Sequence, residues 1–121
     1  MDTSAAVTAL SALAQASRLC VFQHLVQAGH EGAQPSEIAA ALDIPSNTLS
    51  FHLKALAHSG LITADPHGRT IVYRANFAQM QTLIEFLTAN CCGGDASQCA
   101  PSASVRSSKK SSVKNLQARC K

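Results

Sequence analysis

Tryptophan is absent from the 121 residues, and aromatic residues together make up only 4%. A core built from this chain is therefore aliphatic and rich in alanine. Charged residues are scarce at 14%, but hydrophobic residues reach 46%, which excludes a fully disordered chain. No uninterrupted apolar run exceeds a few residues, so none is long enough to span a bilayer, and no membrane partner is expected. Met1-Asp2-Thr3 carries no basic stretch leading into an apolar one. Without such a secretory signal, the cytoplasm is the expected compartment. No nucleophile–base pair, phosphate loop or cofactor motif is visible, so an enzyme is not expected.

The length fits one domain. Residues 1–100 hold four Lys/Arg (Arg18, Lys54, Arg69, Arg74) against seven Asp/Glu, whereas residues 101–121 hold six and none. The formal charge of +3 thus originates in the C-terminal tail, and global charge says nothing about what the folded part binds. Five cysteines are present: Cys20, Cys91, Cys92, Cys99 and Cys120. Their number is odd, and three crowd between positions 91 and 99, so a metal, metalloid or redox site is expected rather than a disulfide framework.

Hydrophobic spacing predicts a helix over 4–14, with Ser4 as N-cap and Val7, Leu10 and Leu13 or Ala14 on one face. A second helix over 17–28 places Leu19, Phe22, Leu25 and Val26 together and ends at Gly29. Cys20 falls off that face and reads as a free, partly exposed thiol, while Cys120 reads as incidental to the tail. Residues 30–34 read as a loop. Pro35 to Leu42 is a short helix with Pro and an acid at its start. After a tight connection over 43–46, a helix over 46–58 turns Leu49, Leu53 and Leu56 inward and Asn47, Phe51, Lys54 and His58 outward. A hairpin follows, with strands over 61–64 and 69–74 and a turn over Asp65-Pro66-His67-Gly68. The last helix runs from Phe77 to about Asn90. Its stripe of Phe77, Met80, Ile84 and Leu87, widened by Leu83 and Phe86, exceeds what one face of a small domain needs. Gly93-Gly94 breaks it, and the Ser- and Lys-rich tail from Pro101 is expected to be disordered.

Two short helices joined by a tight turn and followed by a hairpin predict a winged helix-turn-helix, mainly α with five helices and a β-hairpin wing. In such a fold the second helix enters the major groove and the hairpin tip reaches a phosphate or the minor groove. Ser46, Asn47, Thr48 and Ser50 are small and polar, which permits close approach and hydrogen bonds to base edges and phosphates. Lys54 and Arg69, the latter at the hairpin tip, are candidate phosphate contacts. The five histidines are scattered and read as surface or framework residues.

These segments resemble the ArsR family of winged-helix repressors. Ser17-Arg18-Leu19-Cys20-Val21-Phe22 is similar to the family's T-R-L-R-I-L, and Pro35–Leu42 to its E-L-A-x-x-L helix. Ser46–Leu56, continuing to Ser59-Gly60-Leu61-Ile62, is similar to Q-S-T-V-S-H-H-L-K-x-L…A-G-L-V. Gly68-Arg69 and Val72-Tyr73-Arg74 are similar to the wing's G-R-x-V-Y-Y. The likeness covers residues 5–90. It implies a homodimer formed through the first and last helices that represses by binding double-stranded operator DNA, with one half-site per subunit. Phe51 departs from the pattern, because the first histidine of S-H-H-L stands there in the family; an apolar ring at this place suits a thymine methyl. The family's C-x-C motif before the recognition helix and its His/Asp site on the last helix are also missing.

The expected sensor is instead the C-C-x6-C cluster of Cys91, Cys92 and Cys99. Six intervening residues span up to about 20 Å, so Cys99 can fold back. Gly93 and Gly94 supply the reversal. Three thiolates without histidine, and with only Asp95 as an oxygen ligand, suit a soft centre. Arsenite As(III) or antimonite Sb(III) takes three sulfurs in a trigonal pyramid, whereas tetrahedral zinc wants a fourth ligand. The alternatives are a methylated arsenical on two thiolates, a thiol redox switch, and a zinc or cadmium site. The expected organisation is a DNA-binding and dimerisation domain over 1–90, an effector segment over 91–100 and a basic tail over 101–121.

Overall fold

The computed structural model describes residues 1–94 and 97. Asp95, Cys99, Cys120 and the tail lie outside the described residues. Five α-helices and a two-stranded antiparallel hairpin follow in the order α1 (Thr3–Leu13), α2 (Ala16–Ala28), α3 (Pro35–Leu42), α4 (Ser46–His58), β1 (Ile62–His67), β2 (Thr70–Ala75) and α5 (Phe77–Leu87). This is the expected winged helix-turn-helix. No single helix among the described residues is long and apolar enough to cross a membrane.

Helix ends are set locally. Asp2, not Ser4, caps α1, its carboxylate accepting from Ala5 N at 2.8 Å. Pro35 opens α3 in the turn where a missing N–H costs nothing, and Glu37 reaches back to accept from Gln34 N at 2.7 Å. Asp43 closes α3 in the left-handed conformation, from which Ile44 N donates to Ala39 O. The chain then turns within three residues into α4, and this short connection holds the two helices as a pair.

The core is aliphatic and alanine-rich, as composition requires. Leu49, Leu53 and Leu56 of α4, spaced along one face, pack with Val21, Phe22 and Leu25 of α2, Ile38 and Leu42 of α3, and Leu61 and Ile62 at the start of the hairpin. Removing any of these leucines leaves an unfilled cavity, at a cost of roughly 2–5 kcal/mol.

Two faces differ from the expectation. In α1 the buried side chains are Ala6, Ala9 and Ala12, while Val7 and Leu10 stay 54% and 42% exposed. The successive residues of a helix are turned by about 100°, and the alanine stripe permits the closer approach to α2, so it wins the core side. On α2, Leu19 faces outward and Cys20 is buried at 8% exposure. Cys20 is a core residue and not a free thiol, contrary to the sequence reading.

The hairpin pairs Ile62 with Ala75 through to His67 with Thr70, so Asp65, Pro66 and His67 belong to β1 and the turn shrinks to Gly68-Arg69. Gly68 adopts φ 63°, as a two-residue turn demands. Residues 30–34 are not a plain loop: Ala33 and Tyr73 exchange two backbone hydrogen bonds of 2.9 Å, which fastens the segment before α3 to β2.

Candidate nucleic-acid interface and thiol pair

Alternation of buried leucines on α4 leaves a continuous polar face outward. Ser46, Asn47, Thr48, Ser50, Phe51 and Lys54 are all exposed, and Arg69 is exposed at the hairpin tip. The structure therefore leaves every sequence-assigned DNA candidate accessible. No side chain caps the start of α4 from outside. Asn47 Oδ1 accepts from Thr48 N at 2.9 Å, and Ser50 Oγ donates to Ser46 O at 3.1 Å. Both are bonds to the helix's own first turn. Both can be exchanged for an external partner without unfolding anything.

His52, next on the helix, is half-buried. Burial is the first cause and the nearby Arg18 guanidinium the second that hold its imidazole below the ordinary value of 6.5. It is a framework residue of the helix.

The wing is stiffened from within. Arg74 is spent on structure: its guanidinium donates to Asp65 Oδ2 at 2.9 Å and to His30 O at 2.8 Å. His67 also meets Asp65, at 3.0 Å. Asp65 is thereby held below its ordinary value of 3.8, first by Arg74 and then by His67. Arg69 carries none of these duties, which leaves it as the wing's outward cation.

Asn76 was not singled out by the sequence. Its side-chain carbonyl caps α5 by accepting from Gln79 N at 3.2 Å. Its amide donates to Gly60 O at 3.0 Å, and its backbone N–H donates to Leu61 O at 2.8 Å. One residue thus joins the start of α5 to the chain leaving α4. An Asn immediately before an apolar-periodic run is the N-cap signal that could have revealed it.

Helix α5 ends at Leu87, not near Asn90: Thr88 is its C-cap, and Asn90 takes a left-handed conformation at φ 55°. Asparagine tolerates that region, so the reversal begins before the glycines. Cys91–Gly94 forms a single tight turn with Cys92 also at positive φ. Both thiols are exposed, with their sulfurs 3.6 Å apart. Two thiolates about 2.3 Å from a tetrahedral ion lie about 3.8 Å apart, so this pair is spaced to chelate one soft centre. The third expected ligand, Cys99, lies outside the described residues.

A helix pair with an exposed polar second helix and a hairpin with a cationic tip define a winged helix-turn-helix DNA-binding protein. The family model for a helix-turn-helix domain matches residues 13–64. An ArsR-like transcriptional regulator from Rhodococcus sp. RHA1 is 27% identical, with TM-score 0.60 over 69% of this chain and 76% of that one. Reduced HlyU from Vibrio cholerae N16961 is 26% identical, with TM-score 0.58 over 74% of this chain and 92% of that one. The homodimeric winged helix-turn-helix DNA-binding domain Mb0332 from Mycobacterium bovis shares the fold at 23% identity, with TM-score 0.55 over 77% and 86% of the two chains. No curated protein matches the sequence. These likenesses show that the chain shares the winged helix-turn-helix fold of ArsR-like transcriptional regulators.

Proposed function

We propose that the chain is a homodimeric, non-enzymatic repressor that is released from its operator when Cys91, Cys92 and Cys99 bind trivalent arsenic or antimony. Ser46, Asn47, Thr48, Ser50, Phe51 and Lys54 are the surface offered to the major groove, and Arg69 reaches the backbone. In this reading residues 1–90 bind DNA and dimerise, 91–100 sense, and the basic tail over 101–121 adds non-specific attraction to phosphate.

The observation that carries the sensing half is the pair of exposed sulfurs 3.6 Å apart at the end of α5. Three thiols condense with As(OH)3 to give one As(S)3 centre and three waters, with no change of oxidation state. A second copy is supported by the apolar strip of Val7, Leu10, Ile84 and Leu87, all exposed on α1 and α5, and by the homodimeric Mb0332 neighbour. Ligand binding must favour the conformation that cannot hold DNA, because equal affinity for both shifts nothing. A physical route exists in α5, whose C-terminal end leads to the thiols and whose first cap, Asn76, is bonded to the chain leaving α4.

A redox switch is the second reading, favoured by the proximity of the two exposed sulfurs and by the likeness to HlyU, a structure solved in a reduced form. There the thiols would give two electrons and two protons to a peroxide-class oxidant and form a disulfide. Titrating arsenite into the protein–operator complex in the presence of a thiol reductant separates the two. Release under reduction supports the metalloid site, and X-ray absorption should then show three sulfur neighbours. Release by peroxide alone, with arsenite silent, selects the redox switch. Cys91→Ser, Cys92→Ser and Cys99→Ser should each keep operator affinity and lose the arsenite response. A Cys99→Ser protein with a full response would leave a two-thiolate site suited to methylated arsenicals.

A further inference from the structure

Four of the five aromatic side chains pack into or against the core: Phe22, Tyr73, Phe77 and Phe86. Phe51 does not. It is 77% exposed, the highest value of any large apolar side chain among the described residues. Its surroundings on α4 are polar, with Asn47 one turn before it, Ser50 beside it and Lys54 one turn after it, all exposed. The apolar strip that suits a second copy lies on other elements, α1 and α5. Phe51 is thus a single ring in the middle of a hydrogen-bonding face, and not the edge of an apolar patch.

A phenyl ring has no donor or acceptor, so it reads no base edge by hydrogen bonding. The major groove displays one apolar group, the C5-methyl of a pyrimidine. We infer that Phe51 reads a pyrimidine C5-methyl in each half-site, and that operator affinity therefore responds to the presence of that methyl on thymine or on C5-methylated cytosine. This rests on α4 being the groove-entering helix. Asn47 and Ser50 would supply the hydrogen-bonded part of the same recognition, and the ring would displace water from around the methyl. Burying one methyl-sized group supplies about a fourfold gain, or about fifteenfold when both half-sites are changed.

The test uses the reduced full-length protein and duplexes it selects from a random-sequence pool. Replacing thymine by uracil deletes the methyl and leaves every Watson–Crick and groove hydrogen-bonding group in place. One thymine per half-site is expected to show the loss of about fourfold. Placing 5-methylcytosine there, compared with cytosine, is expected to restore a similar factor. Phe51→Ala should bind with no preference between thymine and uracil at that position and with nearly unchanged thermal stability, since most of the ring is exposed. Phe51→Leu should keep part of the preference. Uracil at every thymine with affinity unchanged within twofold overturns the inference, as does a Phe51→Ala protein that still prefers thymine. Failure to select any duplex overturns the reading of α4 as a DNA-binding helix, and the inference with it, whereas binding that depends on Asn47 but not on Phe51 overturns the inference alone.

Discussion

Asn47 and Ser50 hold only bonds to their own first turn, so replacing either by alanine should leave the melting temperature nearly unchanged. Operator affinity should fall by about 1–3 kcal/mol with relaxed specificity, as read by equilibrium binding to the selected duplex and its single-base variants. Arg69→Ala behaves differently: binding to all sequences weakens, and the slope of log affinity against log salt drops by about one. Gly32 is the position least tolerant of a side chain. It lies at φ +65°, and a Cβ there would collide with the Tyr73 carbonyl and sit 2.7 Å from Arg74 Cγ and 2.9 Å from Val72 Cγ1. Gly32→Ala should cost about 2–4 kcal/mol in chemical denaturation. His52 gives a pH dependence of opposite sense to a histidine that gains an acidic partner. Its folded value is depressed, so the unfolded chain takes up the proton first. Stability from neutral His52 is complete above about 6.5 and declines as the pH falls from there towards the folded value. Melting temperatures measured between pH 7.5 and 5.5 should fall less steeply for His52→Gln than for the parent.

At the scale of elements, the wing and α5 are held by few side chains, each with several partners. Arg74 ties β2 both to β1 through Asp65 and to the segment before α3 through His30 O. The Asp65 carboxylate is held below its ordinary 3.8 and is ionised throughout the neutral range, so the tie persists there. Asn76 serves α5 and the end of α4 together, and Ser59, buried between α4 and β1, donates its hydroxyl to Leu56 O at 2.7 Å. Asn76→Ala removes a cap and a bond to the Gly60 carbonyl and should lower stability by about 1–2 kcal/mol. If α5 transmits the thiol signal through this residue, the same variant should bind arsenite with the parent's stoichiometry but release DNA less completely. A proton- or fluorescence-based binding titration run beside an operator-release assay separates those two effects.

For the whole molecule the decisive question is what covers the strip formed by Val7, Leu10, Ile84 and Leu87. Leu87, 57% exposed, makes the cleanest probe because it is the most exposed of the four. Leu87→Glu should leave the monomer folded and shift sedimentation from dimer to monomer. Operator affinity should fall at least tenfold, because one subunit then reads one half-site. A dimeric Leu87→Glu protein would place the interface elsewhere, and a monomeric parent would overturn the homodimer.

The sequence alone determined the element list. Leucine spacing on residues 49–56, Pro35 with Glu37, the branched run after Gly68 and the surplus stripe after Phe77 each impose one local structure, because period, cap and turn chemistry act over a few residues. The exposed side of α4 followed from the same spacing, so Ser46 to Lys54 and Arg69 were legible as a surface. Which side of α1 faces the core was not legible, since Val7 and Leu10 are more apolar than the alanines that displaced them; closeness of approach between packed helices made that choice. Cys20 went inward for the same reason, carried by a helix rotation that Val21 and Leu25 fixed. The pairing of Ala33 with Tyr73, the spending of Arg74 on Asp65 and His30, and the double duty of Asn76 join residues distant in sequence. Only the tertiary structure could decide them, because their energy exists only once the wing has folded back on the helices.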